Sequence, residues 1–180
     1  MLSSLMTCAT ALGAGNSGHT PREDRQATDG PAAGSAVYTQ ASDFTLADQH
    51  KRWHTYRFPR QKVSFLVMAD QQGATQLEAW IQPVYARYQE SIEIHGVAAM
   101  PAVPESLRGL VRLFFKGRVA YPVMLDWDSR VAQRYGYQQA QANVFIIDTA
   151  GRIRLSLLGA VEEIHLQRVF TLLDHLLQEP

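Results

Sequence analysis

Cysteine is nearly absent from this sequence, whose 180 residues contain one, Cys8. A single thiol cannot close an intramolecular disulfide, and a metal site needs several converging ligands. The six histidines are scattered, and none forms an i, i+4 metal-binding pair on a predicted helix. We therefore expect no internal thiol–disulfide chemistry, no metal site and no other cofactor. A long-range site that combines His95 with a carboxylate stays open.

An excess of charge and long apolar runs are also lacking. Lys and Arg together number 17, as do Asp and Glu, so the formal net charge is zero. Balanced charge without a Lys/Arg cluster gives no electrostatic footprint for nucleic acid. No run approaches the roughly eighteen apolar residues of a transmembrane helix. We expect a globular protein without a transmembrane span, whose partner is an unidentified small polar ligand or another protein.

The first 42 residues differ in composition from the rest. Residues 1–14 are small, apolar and uncharged, as in the apolar part of an export signal. Within them, Leu5–Cys8 resembles a bacterial lipobox, which makes Cys8 a candidate lipidation site. Residues 15–42 are rich in Gly, Ala, Ser and Thr, which predicts a disordered tether. This layout favours a periplasmic protein or a membrane-anchored lipoprotein. The alternative is a cytoplasmic protein with a disordered tail and an incidental cysteine.

From Asp43 onward, the hydrophobic periodicity alternates between strand and helix. Short apolar runs typical of strands occupy residues 63–69, 92–98, 121–125, 144–147 and 153–158. Helical spacing of apolar residues occupies residues 74–90, 104–117, a short stretch that Asp128 can cap, and 161–178. Residues 43–180 are therefore predicted to form one α/β domain, with a central mixed sheet and helices on both faces.

The helix predicted over residues 104–117 has two chemically distinct faces. The apolar face, which we expect to contact the core, consists of Leu107, Leu110, Val111 and Phe114. The opposite stripe consists of Arg108, Arg112 and Lys116. Most such stripes face solvent, whereas a minority bind anionic partners or lipid headgroups.

Three local stretches resemble one protein family. They are Asp43–Asp48 before a polar turn, Tyr121–Asp126, and Arg134–Tyr137 followed by Phe145–Ile153. Their order and spacing over residues 43–178 resemble the redoxin branch of the thioredoxin superfamily, which includes alkyl hydroperoxide reductase and thiol-specific antioxidant proteins. The resemblance implies a thioredoxin-like fold and, for members with the catalytic cysteines, oxidoreductase or antioxidant activity.

The catalytic positions of that family carry other residues in this chain. Aligning Pro83 with the proline of the family's first helix places Thr75 and Glu78 at the two cysteine positions, and Ala142 stands where the family has a cis-proline. The degenerate active-site positions are therefore Asp70, Gln72, Thr75, Glu78 and Ala142. A threonine hydroxyl cannot cycle through a disulfide, and nucleophilic attack by Thr75 would require a paired base such as Glu78.

Polar residues follow the predicted strands at the edge where ligands bind in mixed α/β sheets. The predicted binding edge adds Gln71, Asp126, Trp127, Gln141 and Asn143 to the degenerate positions. We expect a trans peptide bond before Ala142 and a shallow polar groove lined by Gln72, Thr75, Trp127 and Asn143.

These observations favour an exported, non-catalytic thioredoxin-fold binding or accessory module. The alternative is a redoxin-family oxidoreductase or antioxidant protein that uses a thiol supplied by a partner. A third possibility, an enzyme with non-thiol chemistry, would need a carboxylate with a perturbed pKa in a cleft at the same edge.

Overall fold

The computed structural model describes residues 39–101 and 103–179. The strands are β1 (Thr39–Gln40), β2 (Phe44–Ala47), β3 (Trp53–Tyr56), β4 (Ser64–Ala69), β5 (Glu93–Ala99), β6 (Val123–Asp126), β7 (Asn143–Ile147) and β8 (Arg152–Leu158). The α-helices are α1 (Leu77–Tyr88), α2 (Arg108–Arg118), α3 (Arg130–Arg134) and α4 (Glu163–Leu176). Short 3-10 turns cover Gly73–Gln76, Gln89–Ser91 and Glu105–Leu107. The leader-like segment 1–14 with Cys8 and residues 15–38 of the predicted tether lie outside the described residues. Of the helices above, none is long and apolar enough to cross a membrane.

Six of the strands form one mixed sheet in the order β1-β8-β7-β4-β5-β6. β4, β5 and β6 are parallel to one another, as β-α-β connections through α1 and α2 require. β7 is antiparallel to β4, and β8 is antiparallel to β7. The predicted mixed sheet is therefore confirmed.

The central strand β4 is buried along its whole length, which shows that both faces of the sheet are covered. Phe65 and Val67 contact a cluster that includes Trp80 of α1 and Leu173 of α4. The alternate residues of β4 belong to a second cluster on the other face, built from α3 and the β2–β3 hairpin. Successive side chains of a strand point to opposite faces, so a fully buried strand needs two such layers.

The β2–β3 hairpin is fastened to the edge strand β6. Gln49, which is fully buried, donates from Nε2 to the Tyr121 carbonyl at 2.9 Å and accepts from the Val123 N–H at 2.9 Å. Asp48 forms an antiparallel bridge with Met124. The hairpin therefore covers part of an edge whose backbone groups would otherwise be unpaired.

The N-terminal boundary of the fold lies before the predicted one. β1 pairs with β8, with Thr39 opposite Ile153 and Gln40 opposite Arg152. The tether was expected to reach residue 42, so its last residues belong to the sheet. A two-residue strand has no measurable periodicity, which is why the sequence pattern did not indicate it.

The orientation of α2 differs from the expected one. Leu107, Leu110 and Phe114 are exposed rather than buried. Arg108 and Arg112 instead turn toward the protein, with their guanidinium groups over the ring of Trp127. The physical reason is the small core beneath this helix, where Ala98, Val123 and Leu125 are the buried residues. Phe115 of α2 and Val119, which follows the helix, contact this core.

Candidate functional site

The junction between β4 and the following helix is organised by Asp70. Its Oδ1 accepts hydrogen bonds from the N–H groups of Gln72 at 3.0 Å and Gly73 at 2.8 Å. Its Oδ2 accepts the N–H of Ala140 at 2.8 Å, from the loop before β7. Burial alone would raise the pKa of Asp70, but the hydrogen bonds from Gly73, Ala140 and Gln72 outweigh it and hold the pKa below its usual value.

The loop before β7 lies directly on this junction. Gly73 is buried, and a Cβ atom added to it would lie 2.2 Å from the carbonyl oxygen and 2.5 Å from the carbonyl carbon of Gln141. Real Cβ contacts are not that short, so position 73 has no space for a side chain. The two segments therefore contact backbone to backbone, and no groove passes between Gly73 and Gln141.

The side chain of Asn143 binds the backbone of the same loop. It is fully buried, and its Oδ1 accepts from the N–H of Gln138 at 2.7 Å. Its Nδ2 donates to the carbonyls of Gln138 at 2.8 Å and Gln141 at 2.9 Å. Asn143 therefore serves as an internal brace of the loop rather than as a surface ligand.

Ala142 is fully buried within this loop, and its N–H donates to Oε1 of Gln76 at 3.0 Å. The peptide bond before Ala142 is trans, as predicted; across residues 39–101 and 103–179 the cis bond is the one between Phe58 and Pro59.

The two positions that align with the family's cysteines do not act on each other. The hydroxyl of Thr75 donates to the Gln72 carbonyl at 2.9 Å, which is an ordinary local turn contact. The carboxylate of Glu78 accepts from Nε2 of Gln82 at 2.7 Å, one turn further along α1. Thr75 therefore has no paired base, and the arrangement gives no support to a hydroxyl nucleophile.

At the end of β6, Asp126 is fully buried and its Oδ2 accepts the N–H of Ala132 at 2.8 Å. Burial, followed by the charge of Asp128, raises the pKa of Asp126 despite this hydrogen bond. The interaction at the start of α3 thus comes mainly from Asp126, whereas Asp128, which was expected to cap the helix, reaches the N–H of Arg130 only at 3.4 Å. Asp126 has a structural role here and is closed to solvent.

Trp127, the next residue, lines an open cleft of about 580 Å³ between α2, the β2–β3 hairpin and the end of β6. The lining residues are Thr45, Leu46, Ala47, Trp53, Glu105, Arg108, Gly109, Arg112, Leu125, Trp127 and Asp128. The guanidinium carbons of Arg108 and Arg112 lie 5.3 Å and 5.0 Å from the centre of the Trp127 ring. Both distances are within the range of a cation–π interaction.

The two arginines carry unused hydrogen-bonding capacity. The Nε atoms of Arg108 and Arg112 are buried and have no hydrogen-bond partner among the residues that the structure describes. Glu105 and Asp128 also line the cleft, but the carboxylate of Asp128 already pairs with Nε of Arg130 at 2.8 Å. The cleft therefore offers guanidinium groups beside an aromatic ring, with one carboxylate, that of Glu105, near the helix start.

A second polar cluster lies at the opposite end of the parallel strands. Arg60 donates from Nε to the carboxylate of Glu93 at 2.7 Å, and His95 lies 3.2 Å from the same oxygen. Burial lowers the pKa of His95, although Glu93 opposes the effect. The ion pair of this cluster is the one between Arg60 and Glu93, and His95 lies within hydrogen-bond distance of the same carboxylate. Across residues 39–101 and 103–179, the structure shows no group of three metal-binding side chains.

Comparison with known proteins gives matches in structure but not in sequence. No protein-family profile matches the chain, and no curated protein matches its sequence. Solved structures do match. A putative thiol:disulfide interchange protein DsbE from Chlorobium tepidum has a TM-score of 0.60 at 16% identity, over 78% of this chain and 96% of that one. The exposed lipoprotein thioredoxin of Streptococcus pneumoniae has a TM-score of 0.59 at 16% identity, over 75% of this chain and 100% of that one. A putative thioredoxin from Neisseria meningitidis has a TM-score of 0.57 at 22% identity, over 75% of this chain and 89% of that one.

The chain has a thioredoxin-like fold. Its only cysteine is Cys8, so residues 39–179 of this thioredoxin-like domain contain no thiol. The expectation of a thioredoxin-like fold without its catalytic cysteines is therefore confirmed.

The predicted groove of the thioredoxin-like domain is not formed. Gln72 and Thr75 are exposed at the junction, but Asn143 is fully buried and Trp127 lines the separate cleft. Of the other predicted edge residues, Gln71 and Gln141 have exposed side chains at the closed junction. The prediction of one shared groove was wrong, because Gly73 contacts Gln141 backbone to backbone and Asn143 is buried beneath the loop. In addition, β5 separates the end of β6, which carries Trp127, from β4.

The sequence reasoning missed the hairpin side of the cleft. Trp53 of β3 is 73% exposed, and nothing in the periodicity of the hairpin indicates that it lies near Trp127. The i, i+4 spacing of Arg108 and Arg112 was a sequence signal for the cleft, because a minority of such basic stripes bind anionic partners.

Proposed function

We propose that this protein is an exported, non-catalytic thioredoxin-like binding or accessory module, and that its ligand binds in the cleft beside Trp127. The observation that carries the proposal concerns Thr75 and Glu78, the two positions predicted to align with the family's cysteines. Neither carries a thiol, and each makes only a local hydrogen bond, to the Gln72 carbonyl and to Gln82 respectively. The neighbouring junction is held by the backbone contact between Gly73 and Gln141.

The chemistry of the cleft favours an anionic ligand. A guanidinium group donates in a planar fork that matches a carboxylate or a phosphate, and such charge-assisted bonds are stronger than neutral ones. The guanidinium groups of Arg108 and Arg112, which line the cleft, supply donors, and the half-buried ring of Trp127 supplies an apolar surface. A small molecule that joins a carboxylate or phosphate to a planar apolar group satisfies both.

The absence of catalysis is tested with the full chain carrying Cys8→Ser. We expect no insulin-disulfide reduction and no peroxide consumption in the presence of a dithiol reductant, because no thiolate remains to attack. The heat-denatured protein gives the background rate, and an active thioredoxin gives the positive signal. Turnover above background by the Cys8→Ser protein would contradict the non-catalytic proposal.

The binding site is tested separately by NMR titration. The chain has three tryptophans, so its indole N–H signals can be assigned with single Trp→Phe variants. We expect benzoate and phenyl phosphate to shift the signal of Trp127, and neutral benzyl alcohol to do so much less. Arg112→Gln should weaken binding by about tenfold or more, as for loss of a charge-assisted hydrogen bond. The matched control is Arg168→Gln, on an exposed position of α4. Unchanged affinity in Arg112→Gln would reject this site while leaving the redox result intact.

Export is supported by the composition of residues 1–14 and by the similarity of the fold to a protein described as an exposed lipoprotein thioredoxin. The proposal includes lipidation at Cys8 and a periplasmic or membrane-anchored location. We expect metabolic labelling with a fatty acid and recovery in the membrane fraction, both lost in Cys8→Ser. Recovery of the wild-type chain unlabelled in the cytoplasmic fraction would establish the cytoplasmic alternative.

A further inference from the structure

Helix α2 exposes a row of large apolar side chains. Its members, called the apolar ridge below, are Leu107, which precedes the helix, and Leu110, Leu113 and Phe114 within it. They are 48%, 66%, 65% and 52% exposed. Three- and four-residue spacing places the members of the ridge on one side of the helix. Contiguous exposed apolar surface with a polar rim marks an interaction site rather than ordinary surface.

The charged residues of α2 are all basic. The helix carries four of them and no Asp or Glu, and Glu105, in the turn before it, is the nearest carboxylate in sequence. Arg108 and Arg112 turn toward the Trp127 cleft, which leaves Lys116 and Arg118 exposed beside the ridge. The guanidinium carbon of Arg118 lies 4.4 Å from the centre of the Phe114 ring, so a positive charge sits directly against the exposed apolar surface.

We propose that the apolar ridge docks on an anionic lipid membrane surface. The apolar side chains enter the boundary between headgroups and acyl chains, while Lys116 and Arg118 contact the lipid phosphates. An amphipathic helix with large apolar residues on one side and basic residues at their border binds membranes in this way. The long stems of Lys and Arg allow the charges to remain at headgroup level while the ridge is buried.

An anionic bilayer supplies both the apolar layer that the ridge needs and the negative charge that Lys116 and Arg118 attract. A second copy of the chain is the alternative occupant that the test below separates. This inference concerns the far side of α2 and does not rest on the ligand proposed for the cleft.

The test is vesicle co-sedimentation of the full chain carrying Cys8→Ser, which removes any covalent lipid. Vesicles contain phosphatidylcholine alone or mixed equally with phosphatidylglycerol. We expect binding to the anionic vesicles, weakening as salt is added. Leu110→Gln combined with Phe114→Gln should reduce the partition coefficient by at least about tenfold. Lys116→Gln and Arg118→Gln should each reduce it by roughly fivefold at low salt.

Matched controls come from α4. Ile164 is 63% exposed and Arg168 is exposed, so Ile164→Gln and Arg168→Gln remove comparable groups elsewhere and should leave binding unchanged. Circular dichroism and thermal melting establish that each variant is folded, as expected for exposed positions. Absence of binding to the anionic vesicles would overturn the proposal, as would equal losses in the α4 controls. A dimer in sedimentation equilibrium that Leu110→Gln with Phe114→Gln dissociates would assign the ridge to a second copy instead. A ridge protected from solvent in a monomer without vesicles would assign it to the chain's own N-terminal residues.

Discussion

Replacing Gly73 with alanine adds one methyl group at the point where the junction after β4 contacts the loop before β7. The new Cβ would lie 2.2 Å from the Gln141 carbonyl oxygen and 3.0 Å from the Gln141 backbone nitrogen. These are backbone atoms held by the hydrogen bonds of Asn143 to Gln138 and Gln141, so they cannot rotate away as a side-chain tip would. Either the loop before β7 or the start of the helix must move.

Overpacking of this kind typically destabilises a protein by about 1–3 kcal/mol. We expect Gly73→Ala to lie at the upper end of that range, since both contacting segments are backbone. For a domain of this size, each kcal/mol lowers Tm by roughly 4 °C. Thermal melting and urea unfolding, followed by circular dichroism, measure the change directly.

The matched control is Gly109→Ala in α2. A Cβ on Gly109 meets nothing within 4 Å, and Gly109 is exposed. Alanine loses less backbone entropy than glycine in a helix, so this variant should be more stable by about 0.5–1 kcal/mol. The same chemical change is thus expected to have opposite signs at the two positions. If Gly73→Ala were as stable as the wild type, the backbone closure inferred at the junction would be refuted.

Three further variants test the same region. Asn143→Ala should lower the free energy of unfolding by about 2–4 kcal/mol in urea titrations, because it removes three hydrogen bonds that a fully buried side chain makes to Gln138 and Gln141. Thr75→Ala should change it by less than about 1 kcal/mol, since the Thr75 hydroxyl is exposed and makes one local bond. Asp70→Asn should be destabilising at neutral pH, with a difference from the wild type that shrinks as the pH falls below about 4. The folded pKa of Asp70 is depressed, so its stabilisation is present above the unfolded pKa and is lost as protonation proceeds on acidification. A difference that stays constant in unfolding measurements from neutral to acidic pH would contradict the hydrogen bonds assigned to the Asp70 carboxylate.

The regular part of the fold was predictable because its signals are local. β4 is a continuous apolar run and is buried on both faces, and the predicted strands of β7 and β8 flank a short turn that contains Gly151. The hydrophobic period of α1 and α4 matches the faces that place Trp80 and Leu173 in the core. Each of these elements buries its apolar residues in the core around the central sheet, so the local sequence pattern and the tertiary packing agree.

The orientation of α2 was not predictable from the same kind of pattern. Periodicity identifies an apolar face, but it does not say whether the domain itself covers that face. The core available to α2 is the narrow strip over Ala98, Val123 and Leu125 at the sheet edge, which Phe115 and Val119 contact. The pairing of Arg108 and Arg112 with Trp127 depends on the end of β6, which lies beyond the helix in sequence.

The burial of Asn143 has a similar origin. An asparagine after a polar loop is usually a surface residue, and the sequence placed it in a groove. Its actual role depends on the register of β7, in which Asn143 lies opposite Met68 of β4 and Leu158 of β8. In this register, the side-chain amide of Asn143 can form hydrogen bonds with the backbone of Gln138 and Gln141. These bonds depend on the conformation of the loop, which composition does not indicate.

Ala142 explains why the loop can close as it does. The sequence resemblance predicts that Ala142 stands where the redoxin family has proline. Proline has no N–H, whereas the N–H of Ala142 donates to Oε1 of Gln76 at 3.0 Å. This bond joins the loop before β7 to the 3-10 turn that precedes α1, alongside the contact at Gly73. Ala142 therefore supplies one of the interactions that hold the junction closed.

A double-mutant cycle between Gln76 and Ala142 tests this contact. Gln76→Ala alone should lower the free energy of unfolding by about 1 kcal/mol, the usual net contribution of one hydrogen bond, plus the penalty of leaving a buried N–H unpaired. Ala142→Pro should cost more than that, since it removes a bonded donor and restricts the preceding residue. In the Ala142→Pro background, Gln76→Ala should then have almost no effect, because its partner donor is already gone, which gives a coupling energy of about 1 kcal/mol or more. Fully additive losses in urea unfolding would show that the two residues do not interact.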